Sequence, residues 1–154
     1  MKKLMRFPVI ISALAVLLAA WWAGFIIPEM ITGAKADMIK IGKLPEGYKL
    51  SKTEAADSGI THFYKDKNGG YITLCYLPDT ELSLKEYLEA QDVHAKYTTV
   101  IPAEQGGMWS MYVYSKDREN VGVVDPGDGL FVISSNIGSY ELGEIIRSVR
   151  IKER

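Results

Sequence analysis

Hydrophobic and polar positions divide the chain into two unlike parts. Residues 7–27, FPVIISALAVLLAAWWAGFII, run 21 positions without a charge, apolar all round rather than along one stripe. A helix that is apolar on every side needs an apolar surrounding, and one of this length rises about 31 Å, the depth of a bilayer core. The run therefore predicts a transmembrane helix. From Pro28 onward the pattern changes to short segments of period two or 3.6, the signs of strands and helices that each bury one face.

Strands are expected at residues 38–41, from Tyr48 after the turn Leu44-Pro45-Glu46-Gly47, and at 60–64, 71–77, 97–101, 108–115, 120–124 and 130–134. Residues 60–64 and 71–77 are rich in aromatic and β-branched side chains, and Lys65-Asp66-Lys67-Asn68-Gly69-Gly70 between them contains the Asn-Gly pair of a hairpin turn. Turn chemistry recurs at 105–107, 116–119 and 125–129. Two stretches have the helical period instead. Ser83-Leu84-Lys85-Glu86 spells a capping box ahead of Tyr87 and Leu88, in a helix ending near Gln91. Leu142, Ile145, Ile146 and Val149 repeat at i, i+3, i+4 and i+7 behind Ser139, the expected N-cap. The order predicts an α+β fold: an antiparallel sheet with one inserted helix and a C-terminal helix packed on it, preceded by the transmembrane helix. In 108–115, Trp109, Met111 and Val113 point one way and Met108, Ser110, Tyr112 and Tyr114 the other. A helix covers one face, so the face with the tyrosines is expected to stay half exposed.

Charge assigns an address to the two parts. Lys2, Lys3 and Arg6 precede the apolar run, and only Glu29 and Lys35 follow closely, so the positive-inside bias places residues 1–6 in the cytoplasm. Residues 7–27 are then a single-pass anchor in the cell membrane, 28–36 a linker begun by Pro28, and 37–154 one extracytoplasmic domain. A cleaved secretory signal competes with this reading, because Ala34-Lys35-Ala36 offers small residues for processing after Ala36. Its apolar core would be about 7–15 residues, and the greater length here favours the anchor, with Trp21 and Trp22 near the outer interface. Past residue 36 there remain 14 basic and 18 acidic residues. A domain with net charge −4 has no basic face for phosphates, which argues against nucleic acid and anionic lipid as partners.

Local motifs for chemistry do not emerge. Cys75, the only cysteine, permits no intramolecular disulfide and lies mid-strand, where a free thiol is ordinarily core. His62 and His94 are the only histidines and share no metal-ligand spacing; His62 reads as a polar strand position and His94 as part of a polar connection. Asp125-Pro126-Gly127-Asp128-Gly129 lacks the alternating oxygen donors and closing glutamate of a calcium loop and reads as a turn. The pairs Asp79 with Glu81 and Asp117 with Glu119 fall in polar turns, where solvated charge explains them. Gly69-Gly70 and Gly106-Gly107 belong to hairpins rather than to a phosphate loop.

One resemblance can be read from short motifs. Leu44-Pro45-Glu46-Gly47-Tyr48, a central hairpin, Gly129-Leu130-Phe131-Val132-Ile133-Ser134 and then Glu144-Ile145-Ile146-Arg147-Ser148-Val149 resemble an uncharacterised extracytoplasmic domain of Gram-positive membrane proteins. That family is sometimes found behind an anti-sigma zinc-finger segment and is similar in outline to lipoprotein-carrier-like folds. The likeness spans about residues 44–149. The six residues ahead of the apolar run include no Cys or His, so no zinc-finger segment lies among them. A weaker resemblance, through Ser83-Leu84-Lys85-Glu86-Tyr87-Leu88 and the closing helix and strand, is to the photosystem-II-extrinsic-protein-like sandwich. Neither family implies a catalytic residue.

The only residues with functional pull are aromatic. All nine tyrosines lie beyond Pro28, and Tyr71, Tyr112 and Tyr114, with Trp109, form the expected partner surface. The sequence thus predicts a membrane-anchored, non-enzymatic binding or accessory domain of the bacterial envelope, with a protein or lipid partner and with no cofactor, metal or catalytic residue. The alternative is a secreted small enzyme whose site is assembled from scattered residues.

Overall fold

Alternation is clearest in β3 (Gly59–Lys65) and β4 (Tyr71–Leu77), where every second residue is buried: Ile60, His62 and Tyr64 in one, Ile72, Leu74 and Tyr76 in the other. Such a pattern fits a strand with one face in a core and the other partly wet. The computed structural model describes residues 37–78 and 80–152. The predicted anchor at 7–27 and its linker lie outside these. Among the described residues no helix is long and apolar enough to cross a membrane.

The other strands are β1 (Ile39–Ile41), β2 (Lys49–Ala56), β5 (Thr99–Pro102), β6 (Met108–Lys116), β7 (Glu119–Asp125), β8 (Leu130–Ser135) and β9 (Val149–Ile151). Seven of them form one antiparallel sheet in the order β2-β3-β4-β8-β7-β6-β5. Two meanders, β2-β3-β4 and β5-β6-β7-β8, are thus joined along the β4–β8 seam. Between them the chain passes through helix α1 (Leu84–Ala90), and after β8 it forms helix α2 (Ser139–Ser148). A separate antiparallel pair unites β1 with β9. The expected α+β sheet with an inserted and a closing helix is present.

Each helix takes a different face of the large sheet. On the first face α2 sets Leu142, Ile145 and Ile146 against Tyr64, Leu74, Trp109, Val124, Phe131 and Ile133, with Trp109 edge-on to Phe131 at 5.4 Å. Each large side chain so buried contributes about 1.5–3 kcal/mol. The close approach needs Gly122 in β7, because a Cβ there would lie 2.6 Å from Ile146 Cδ1. On the second face α1 packs over β7, and Leu84 and Leu88 gather Val123, Leu130, Tyr87, Tyr112 and Tyr114. The tyrosine face, expected to stay half exposed, carries α1 over part of its width, and Tyr112 and Tyr114 on it are half-buried.

Local chemistry explains the element ends. Ser83 accepts from the Glu86 N–H at 3.2 Å while the Glu86 carboxylate accepts from the Ser83 N–H at 2.9 Å, the capping box read from the sequence. At the other end Asp92 has φ 60, Val93 N–H donates to the Leu88 carbonyl at 2.9 Å and Asp92 N–H to that of Glu89 at 3.0 Å. This is a Schellman ending with aspartate where glycine is usual. For α2 the expected cap moves by one: Gly138 is the N-cap and Ser139 the first helical residue. Val149, placed by periodicity on the helix, begins β9 and is buried there. The β3–β4 connection is a five-residue loop in which Asp66 accepts from the N–H groups of Asn68 and Gly70 at 2.9 and 2.6 Å. Only Gly69 there has positive φ, so Asn68-Gly69 does not form a two-residue turn. The tight turn is instead Asp117-Arg118 between β6 and β7, both left-handed, with φ 51 and 68.

Two outcomes follow for denaturation experiments on the folded protein. Ile146→Ala should cost about 2–5 kcal/mol, the range for deleting a buried aliphatic side chain; a loss under about 1 kcal/mol would show that α2 is not seated as described. Replacing Asp117-Arg118 by Asn-Gly should raise stability by about 1 kcal/mol, because two strained left-handed residues give way to the pair that adopts this turn readily.

Candidate functional site

Register fixes which side chains share the second face. Phe63 pairs with Thr73, Thr73 with Ser134, Ser134 with Val121, and Val121 with Tyr114, so these five form one row across β3, β4, β8, β7 and β6. A second row, Thr61, Cys75, Val132, Val123 and Tyr112, lies next to it. Helix α1 is seated on Val123 and Leu130. Phe63 and Tyr71 belong to neither hydrophobic cluster and are half-buried. The face is thus sealed on the α1 side and partly open toward β3 and the two hairpin ends.

Tyr71 is held firmly at that open end. Its N–H donates to Asn136 Oδ1 at 3.1 Å and its carbonyl accepts from the Ser135 hydroxyl. The Asn136 side chain also donates to the Gly69 carbonyl at 3.2 Å, which ties the β3–β4 loop to the end of β8. From this fixed backbone the Tyr71 phenol reaches across β8 and donates to Glu119 Oε1. Partial burial, then the bond to the Glu119 carboxylate and its charge, push the phenol up to about 12. Tyr112 and Tyr114 stack at 6.4 Å and 30°. Burial raises the Tyr114 phenol, and burial with the nearby Cys75 and Tyr114 raises that of Tyr87.

The four residues expected to make a partner surface therefore divide three ways. Tyr71 stands at the open end, Tyr112 and Tyr114 lie at the flank of α1 and are half-buried, and Trp109 does not join them. Trp109 is 3% exposed and belongs to the core on the first face, as its alternation with Tyr112 requires. Sequence reasoning did not single out Phe63, Thr73, Val121 or Ser134, and it read Glu119 as a solvated turn carboxylate, whereas Glu119 begins β7 and accepts from the Tyr71 phenol. Their membership is set by cross-strand register, and only the alternation in β3 and β4 hinted at it.

Residues with reactive side chains are distributed apart. Cys75 lies on the second face, where burial pushes its thiol up and a hydrogen bond from Thr61 pulls the other way; a protonated, covered thiol is a poor nucleophile. His62 faces the opposite side, 4% exposed, with Nδ1 2.9 Å from Thr53 Oγ1 and its ring 6.2 Å from that of Tyr64. This corrects its reading as a polar strand position: His62 is a core residue. His94 is exposed, 3.7 Å from Asp92. Among the described residues no three His, Cys, Asp or Glu side chains gather as metal ligands.

The Tyr71 phenol supplies a pH test. Because its folded value, about 12, lies above the unfolded one near 10, its contribution to stability is complete below about pH 10 and is lost as pH rises toward 12. Stability should decline across that window in the wild type and decline less steeply in Tyr71→Phe. Equal slopes in denaturation at pH 10, 11 and 12 would contradict the assigned Tyr71–Glu119 contact.

No curated protein and no solved structure gives a significant match to the chain. A family known as a domain of unknown function (DUF4367) matches residues 38–149, from the start of β1 to that of β9. That match takes in β1 to β8, both helices and most of the chain, so the chain belongs to this family.

Proposed function

We propose that the chain is a membrane-tethered, non-enzymatic binding or accessory domain of the bacterial envelope, with residues 37–154 outside the membrane. The observation that carries this reading is the unequal covering of the second face. Helix α1 closes one part, with Val121 and Tyr114 packed against its cluster, while Phe63, Thr73 and Ser134 continue the row past it, half-buried, beside the anchored Tyr71–Glu119 pair. Rigid aromatic side chains on a sheet offer contact area at small entropic cost, the usual make-up of an interaction hot spot. The 21-residue apolar run and the basic residues before it support the tether. The likeness to extracytoplasmic domains of Gram-positive membrane proteins agrees with that address and with an accessory role. The covered Cys75 thiol, pushed up by burial, and the buried His62 support the non-enzymatic part of this reading.

Address and role have separate tests. Protease added to intact cells or protoplasts should remove the domain, with the anchor retained in the membrane fraction; soluble domain in the medium beginning at Asp37 would establish cleavage after Ala36 instead. In a strain lacking the protein, Phe63→Ser with Tyr71→Ala should reduce complementation more than it reduces stability. Replacing His62, His94 and Cys75 by neutral residues of similar size should leave complementation intact when the variant folds. The opposite ranking would contradict a binding role and indicate chemistry at the histidines or the thiol.

A further inference from the structure

Sheet edges are where this fold leaves backbone groups unpaired, and the edges differ in how they are guarded. Strand β2 carries Lys49, Lys52 and a register shift between Leu50 and Lys52, devices that discourage strand addition. Strand β5 is four residues long and ends on Pro102. A third edge runs along the far half of β6. β5 pairs only with 108–111 of β6, whereas β7 pairs with 110–116, so the outer side of Tyr112, Val113, Tyr114, Ser115 and Lys116 has no strand beside it among the described residues. Lys116 and Glu119 close a two-residue turn, which makes them a mutually hydrogen-bonded pair. Alternation along the ladder then turns the N–H and C=O groups of Val113 and Ser115 outward.

This edge has a groove beside it. A cavity of about 490 Å³ is lined by His94, Lys96 and Tyr97 from the segment ahead of β5 and by Met111, Tyr112 and Val113 of β6. That is within the size range of ligand sites, about 300–1,000 Å³. Lys96 lies in its wall, whose lining residues include no carboxylate, and Lys116 ends the free edge opposite Glu119. Tyr97, 78% exposed, is part of that lining. The five edge residues span about 17 Å, the length of a short extended segment.

We propose that the free edge of β6 binds an extended acidic peptide segment by strand addition. The peptide's backbone completes the ladder at Val113 and Ser115, its acidic side chains approach Lys96 and Lys116, and Tyr97 covers it. Main-chain bonds supply affinity and the alternate side-chain positions supply selectivity, as in other sheet-edge recognition. This site meets the row on the second face only at Tyr114, and because it uses the outward backbone of Val113 and Ser115 it stands or fails independently of Phe63 and Tyr71.

The test uses the full chain in detergent and a fluorescein-labelled hexapeptide, Glu-Val-Thr-Val-Glu-Val, with anisotropy and amide hydrogen exchange as readouts. Binding should slow exchange at Val113 and Ser115, weaken with salt, and fall roughly tenfold in Lys96→Glu. It should be abolished when alternate peptide nitrogens are methylated, a change that leaves the protein's own folding untouched. It should persist in Phe63→Ser with Tyr71→Ala, the pair that reports on the other surface. Equal binding of the methylated peptide, equal binding of a Lys-for-Glu peptide, or no binding of the parent peptide would overturn the proposal. So would protection of Val113 and Ser115 that appears without peptide and grows with protein concentration, since the edge would then belong to a second copy.

Discussion

The seating of α2 on β7 is the contact on which the remaining architecture depends. Gly122 removes the side chain that would hold the helix off the sheet, and Leu142, Ile145 and Ile146 enter the space with almost no exposure. With the helix at that depth its C-terminal residue is followed directly by Val149, so β9 runs back beside β1 and ties the two ends of the described chain together. A protein of this size gains its net stability as a small difference between large terms. A close helix–sheet contact of three large aliphatic side chains is therefore decisive for it.

Seating α2 on one face leaves a seven-stranded sheet with a second face to manage. The seven-residue α1, fixed at both ends by its capping box and its Schellman ending, is too short to close that face by itself. Its Leu84 and Leu88 reach the rows over β7 and β8. The row that begins at Phe63 extends beyond it. An incompletely covered, aromatic sheet face in an otherwise well-packed fold is the physical basis for reading the domain as a binding module.

Much of this was legible in the residues themselves. The alternation in 60–64 and 71–77, the Ser83 to Glu86 spacing and the 142, 145, 146 spacing each express a local rule that the tertiary structure keeps. What was not legible depended on partners distant in sequence. Val149 continues the helical period but is claimed by β1. His62 is polar in type, yet its parity with Ile60 and Tyr64 places it in the core. Asn68-Gly69 carries a hairpin signature that the Asp66 carboxylate overrides by drawing the loop around itself. For the candidate surface, aromatic content pointed to Tyr71, Tyr112 and Tyr114, but Trp109 was grouped with them by type although its own parity sends it to the opposite face. Phe63 and Glu119 join only through register, which a single sequence does not state.

The most direct measurement is site-specific photo-crosslinking in living cells, with benzoylphenylalanine introduced in the full chain at Phe63 and Tyr71 and, for comparison, at Leu50 and Tyr140. The last two are 53% and 80% exposed but belong to the edge strand β2 and to the outer start of α2. An open row that holds a partner predicts discrete crosslinked species from positions 63 and 71 and none from 50 and 140. Crosslinking that follows exposure alone, strongest at Tyr140 and absent at Phe63, would contradict it.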